Sequence, residues 1–237
     1  MRAKTLWLGV AALLAGAATA HPAHAGDPSG NFMVRVLGTV VDADTDVKSL
    51  TANGAAIAGD ADVSTQVIPA LTLTYFLSKN VALELLCCVS KHNIDAKGPI
   101  AGLGEIADTW IFPPVLTLQY HFDSFGPLKP YVGAGVQWIH FFNEGTGANG
   151  LGATSVKIDD AVGFALQAGL DVSVGDGWYV NADVKKVWLN TDATWQTAAG
   201  PVVADVDLDP WIISAGVGYR FNLEDVFGGR SYSAPLK

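Results

Sequence analysis

From Leu71 to Leu86 the chain reads LTLTYFLSKNVALELL, apolar residues alternating with small or polar ones on both sides of Ser78-Lys79-Asn80. A period of two marks a strand whose two faces meet unlike surroundings. The period recurs and predicts strands at 31–41, 63–77, 80–91, 109–122, 130–143, 155–174, 177–197 and 203–221. Their connections alternate in length. Ser78-Lys79-Asn80, Asp123 to Leu128 and Gly175-Asp176-Gly177 are short, whereas 42–62, 92–108, 144–154 and the stretch near 198–202 are mostly longer and rich in Gly, Ala and Asp. This is the plan of an all-β, eight-stranded antiparallel transmembrane up-and-down β-barrel with short periplasmic turns, and an even strand number puts both termini on the periplasmic side.

The two faces differ in chemistry. Phe112 and Phe122, Trp178 and Trp188, and Trp211 and Phe221 each stand 10 residues apart on one face, with mostly Ala, Val, Leu, Ile, Tyr and Pro between them. Rising ~3.3 Å per residue at a tilt of ~40°, such a span climbs ~25 Å, the height of a barrel's apolar band between its aromatic girdles. Lys186 is the outward exception, one outward position below Trp188, where its stem can reach the headgroups. The opposite face carries Arg35, Glu84, Gln119, His121, Gln137, Gln167, Asp171, Asp183, Lys185 and Arg220, diluted by Gly133, Gly135, Gly163, Gly169, Gly216 and Gly218. Inside a membrane barrel these charges pair or meet water. A secreted, lipocalin-like barrel would turn its apolar face inward and leave the spaced aromatics unexplained.

Composition agrees with a lipid-facing surface. Apolar residues make up 50% of the chain and charged residues 16%, against ~25% charged in an ordinary soluble domain. Arg2 and Lys4 precede an apolar run from Leu6 to Ala18, followed by Ala18-Thr19-Ala20 and Ala23-His24-Ala25; residues 1–25 read as a secretory signal cleaved after Ala20 or Ala25. No apolar run reaches the ~20 residues of a membrane helix, which leaves strands as the route into a bilayer. The barrel then occupies 26–221, and 222–237 form a periplasmic C-terminal extension. The net charge of −9 lacks the basic footprint that nucleic acid requires. Adjacent Cys87 and Cys88 point to opposite faces of a strand and form no disulfide framework.

A set of segments, in this order and spacing, carries a resemblance: GNFMVRV (Gly30 to Val36), LTLTYFLSKNVALELL (Leu71 to Leu86), PPVLTLQYHF (Pro113 to Phe122), KPYVGAGVQWIHFF (Lys129 to Phe142), GWYVNADVKKVWLNTDATW (Gly177 to Trp195) and LDPWIISAGVGYRF (Leu208 to Phe221). The chain resembles the OmpW/AlkL family of Gram-negative outer-membrane proteins along nearly its whole mature length. The resemblance implies a narrow, largely apolar lumen that passes small hydrophobic molecules inward from the cell surface and releases them sideways into the membrane. It implies no cofactor. Leu86 would contribute to an apolar constriction. Lys185 stands where the family pattern implies an aromatic and, beside Asp183 and Glu84, implies a more polar gate. Phe221 resembles the closing aromatic that the outer-membrane assembly machinery reads at a chain end, yet here the chain continues.

Transport needs room that an eight-stranded barrel lacks unless its lumen is thinned or its wall broken. Inward glycines thin the lumen, and Pro69, Pro113 and Pro114 remove ladder donors on both neighbours of the third strand, which points to a lateral opening there. The lumen and constriction set is Leu86, Lys185, Arg35, Glu84, Gln119, Gln137, Asp183 and Arg220. In a second reading Arg35, Glu84, Asp183, Lys185 and Arg220 pair as a plug, and the protein acts through its loops as a surface receptor or an envelope-stabilising element. Catalysis lacks a nucleophile beside a base: His92 and His121 lie near opposite rims, and His140 meets Ser155 only as a neighbouring strand end. Asp42-Ala-Asp44-Thr-Asp46 begins like a calcium loop, but Val47 and Asn53 stand where a glycine and a bidentate glutamate are needed, so no metal site is expected. Cation-bridged contact with lipopolysaccharide is the ionic role open to these carboxylates and to Asp205, Asp207 and Asp209.

Overall fold

The structure is a computed structural model that describes residues 30–148 and 150–222. The signal segment and the extension beyond residue 222 lie outside the described residues. Eight strands close a ring: β1 (Phe32–Asp42), β2 (Gln66–Phe76), β3 (Val81–Cys87), β4 (Val115–His121), β5 (Leu128–Gly145), β6 (Ala161–Gly175), β7 (Trp178–Trp188) and β8 (Trp211–Phe221). Each pairs antiparallel with its neighbours in chain order, and β8 returns to β1. Following paired residues once around, from Phe32 through Tyr75, Leu83, Leu118, Ala134, Leu166, Lys186 and Trp211, leads back to β1 at Asp42 rather than Phe32. That displacement tilts the strands by roughly 40° and leaves a lumen narrow enough for side chains to fill.

Alternation sorts the side chains as the sequence predicts. Trp178, Trp188, Trp211 and Phe122 are exposed on the outer surface, with Phe112 and Phe221 half-buried there, and aliphatic residues such as Val36, Leu118 and Val132 cover the wall between the girdles. Lys186 reaches up to the Asp209 carbonyl at 2.5 Å and lies 5.0 Å from the Trp211 ring centroid. The inward glycines do not open the lumen, as was expected of them. A Cβ on Gly169 would run into the Tyr131 ring, one on Gly133 would meet the Gln119 and Gln167 side chains, and one on Gly218 would meet Arg35. The space they leave is taken by large neighbours.

Past the ring, on the side away from the short turns, the strands continue above irregular joints. Asp46–Ala52, Ala55–Ala56, Gly200–Asp207, Asn190–Thr197 and Ala153–Ile158 make a five-stranded sheet. Opposite it, Asp60–Val63, Ser90–Lys97 and Glu105–Phe112 pair with each other and with the upper part of β5. Residues 42–62 and 92–108, expected as loops, are therefore largely strand, and the strands expected over 80–91 and 109–122 are interrupted at Cys88-Val89 and Pro113-Pro114. The reason is solvent. Above the membrane the outward face meets water, so Lys48, Asp62, Lys91, Asn93 and Lys97 stand where the ring carries aliphatic and aromatic residues, and the composition reads as loop. The acidic positions here have partners: Lys48 bridges Asp46 and Asp207 at 2.7 and 2.9 Å, and Asn190 donates to Asp205 and Asp207. The Lys48 ammonium and the Asn190 amide hold Asp207 below the usual carboxylate range.

The ring is complete before the chain ends. Phe221 pairs with Phe32, Arg220 Nε donates to the Gly30 carbonyl at 2.6 Å, and Asn31 N donates to Asn222 Oδ1 at 3.2 Å. A chain ending at Asn222 is expected to assemble with the heat-dependent shift in gel mobility of the full-length barrel. Loss of that shift would make residues 223–237 part of the fold.

Candidate functional site: a charged plug below an apolar chamber

With the short turns placed at the bottom, the lower part of the lumen is filled by paired charges. Arg35 on β1 sends Nη1 to Glu84 Oε2 at 2.8 Å and grips Asp171 with Nη2 and Nε at 2.6 and 3.1 Å. Lys185 on β7 bridges Asp183 at 2.6 Å and Glu84 at 3.1 Å. Neutral groups complete the carboxylates: Gln167 Nε2 donates to Glu84 and Asp183, Tyr131 OH to Asp183, and Asn181 Nδ2 to Asp171. Gln119 Nε2 and Thr117 Oγ1 donate to the Gln167 carbonyl oxygen. Two cations thus share three carboxylates, all of them buried. Isolated charges in such a place would be prohibitive; what makes these tolerable is that each is paired and hydrogen-bonded.

Immediately above, the lining turns apolar. Leu37, Leu86, Val115, Ala165, Val187 and Ile212 form an apolar floor that is continuous with the hydrophobic core between the two upper sheets, and of the six Ile212 reaches the cavity there. That cavity, of about 120 Å³, is walled by residues such as Val41, Leu50, Ile94, Phe141 and Trp195. Trp195 Nε1 donates to the Ile106 carbonyl at 2.8 Å and ties the five-stranded sheet to its opposite across the chamber. Its few polar side chains include Thr109, Gln137 and His92. Burial pushes the His92 pKa down, so the imidazole adds no charge near neutral pH.

The wall beside the chamber is interrupted. Between β2 and β3 the ladder ends at Leu71–Cys87, and pairing resumes only at Val63–Ile94. Between β3 and β4 it ends at Leu86–Val115 and resumes at Ser90–Ile111. Among the described residues, Cys88 and Val89 therefore pair with neither neighbour. Other joints at this level are bridged: Trp138 N donates to the Pro114 carbonyl, Val187 N to that of Pro210 and Asp44 N to that of Leu208. The upper edge of the gap is tied by Ser64 N to the Asn93 carbonyl at 2.9 Å and by His92 Nδ1 to the Ser64 carbonyl at 2.8 Å, with Ser90 Oγ on His92 Nε2 at 2.9 Å. Pro69, Val67 and Val89 are exposed on the outer surface around the gap, and Cys88 and Pro113 line the chamber within.

The residues singled out from the sequence fall in separate places. Arg35, Glu84, Gln119, Asp183 and Lys185 converge in the plug, Leu86 sits on the chamber floor, and Gln137 lines the chamber. Arg220 stands apart at the lower mouth, its guanidinium 3.6 Å from the Phe76 ring centroid. Pro69 and the Pro113-Pro114 pair flank the gap on its two sides. The set omits Asp171, Gln167, Tyr131, Asn181 and Thr74, all essential to the network. Parity places them inward; that Asp171 meets Arg35 across 136 positions is a property of ring closure. His140 bonds Asp160 at 2.8 Å rather than approaching Ser155.

Known proteins share this architecture. The model of the OmpW family matches residues 28–221. The outer membrane protein AlkL of Ectopseudomonas oleovorans is 34% identical over 90% of this chain and 94% of its own, and the outer-membrane protein y4mB of Sinorhizobium fredii is 37% identical over 92% and 95%. The crystal structure of the outer membrane protein OprG from Pseudomonas aeruginosa matches with a TM-score of 0.77 at 30% identity, covering 83% of this chain and 98% of that one. A closed antiparallel ring, girdled outside and charged within, matched along its length by these outer-membrane proteins, places the chain in the OmpW family.

Proposed function

We propose that this protein is an entry port for small hydrophobic molecules, which enter the chamber from the cell surface and leave sideways through the gap at Cys88-Val89 into the outer leaflet. One observation carries the reading: an apolar chamber lies directly above a buried ion-pair network and directly beside an unpaired stretch of wall. The network closes the straight path to the periplasm, and the gap offers the other. Arg35, Glu84, Gln119, Asp183 and Lys185 act as the barrier, Leu86 as the chamber floor, and Pro69, Pro113 and Pro114 as the residues that keep the ladder from closing. Both termini lie on the periplasmic side with the short turns, lipopolysaccharide surrounds the outer girdle, and the assembly machinery inserts the barrel through the Phe221 strand.

A second reading has its own support in the same plug, which would also suit a closed barrel acting through its upper sheets. Uptake separates the two. Cells carrying the protein should take up a long-chain alkane or fatty ester faster than cells without it, and Pro113→Val with Pro114→Val should slow that uptake severalfold by restoring a ladder donor. Equal uptake with and without the protein would favour the closed barrel; unchanged uptake in the double variant would sink the lateral exit.

The barrier also has a measurable strength. Arg35→Ala leaves Asp171 buried without a cation and Glu84 with Lys185 alone, which is expected to cost ~3–5 kcal/mol. Urea unfolding in lipid vesicles measures it, and a loss under ~1 kcal/mol would mean that water has replaced the guanidinium and the plug is not tight.

A further inference from the structure

Gln137 is 2% exposed and sits on β5 where the chamber meets the Pro113-Pro114 break. Its Nε2 donates to the Pro113 carbonyl at 3.3 Å. A carbonyl can only accept, so this bond fixes the amide orientation and turns Oε1 away from it. Among the described residues, Oε1 has no hydrogen-bond partner. Its neighbours on the ladder offer none: along β5 its inward neighbours are Gly135 and Ile139, and its register partners are Val115 and Gly163. A buried water needs two to four polar partners to be held, and these ladder neighbours supply none. An unmatched amide oxygen on the lining of a cavity is costly to keep unless something that enters the cavity satisfies it.

We propose that the chamber selects, among small hydrophobic molecules, those that carry one hydrogen-bond donor, a hydroxyl or N–H, which Gln137 Oε1 accepts. The inference rests on the chamber reading above and names the substrate class within it. The group left over is an acceptor, so pure hydrocarbons and molecules with acceptors alone gain nothing from it. A single buried polar group can select in this way, because a ligand with the donor gains a hydrogen bond there that one without it does not.

The test is a ligand titration of the full-length protein in lipid nanodiscs, followed by backbone amide NMR shifts of chamber residues and corrected for partition into lipid. Phenol and toluene differ by a hydroxyl in place of a methyl, and anisole retains the oxygen without the donor. The wild type is expected to bind phenol about tenfold more tightly than toluene or anisole. Gln137→Met should lose the preference for phenol over toluene and anisole. Equal affinities for the three ligands in the wild type overturn the proposal while leaving the chamber reading standing, and they do so even if the variant fails to fold. Absence of shifts at the chamber for any ligand overturns both.

Discussion

In hydrocarbon every backbone N–H and C=O must find a partner within the protein, and for strands this means a ring without edges. The rest of this molecule follows from that constraint. Closing eight strands with the stagger that carries Phe32 round to Asp42 sets a bore that side chains fill, and the alternation of the strands decides which ones. Lipid takes the aromatics and aliphatics; the bore takes what lipid refuses. The constraint is relaxed at Cys88-Val89, where the third strand is flanked on one side by Pro69 and on the other by Pro113-Pro114. Val89 stands level with Phe112, and Cys88, one residue lower, lines the chamber, which ties a backbone defect to a cavity.

Within the bore, electrostatics and packing divide the height between them. The plug holds because Arg35 and Lys185 are shared among Glu84, Asp171 and Asp183 while amides and a phenol complete each carboxylate. Such a network is all or nothing: a missing partner leaves a buried charge and the cost of the rest. One layer higher the same inward positions carry Leu37, Leu86, Val115 and Ile212, which need no partners. The transition is abrupt because Glu84 and Leu86 are successive inward residues of one strand.

Strand number and the two faces were legible in the sequence because each rests on a period of two that a lipid-facing wall imposes. Lys185 was legible for the same reason: parity puts it inward, beside Asp183, and the structure pairs them. The upper sheets were not, since water on their outer face removes the apolar half of the signal, as along Lys91, Asn93 and Lys97. The glycines misled for a different reason. Gly169 and Gly133 state how little space their own side chains take, and the space is decided by what faces them, Tyr131 and Gln167. The partners of Arg35 lie far away in sequence, so alternation could name Asp171 as inward without saying that the two would meet.

If molecules use the chamber as proposed, the two ways out would scale differently with their size. Passing downward means separating the ion pairs of the plug, a cost of several kcal/mol that is the same for a short chain and a long one. Passing sideways transfers apolar surface from a confined cavity into lipid, and each methylene that would otherwise meet water contributes ~0.8 kcal/mol toward staying in an apolar phase. The longer the chain, the more the periplasmic route is disfavoured against the lateral one, without any moving part. On the proposed lateral route, a barrel built in this way would sort by hydrophobicity through the contrast between its two layers, and the width of the gap at Cys88-Val89, rather than the bore, would set the largest molecule that can leave.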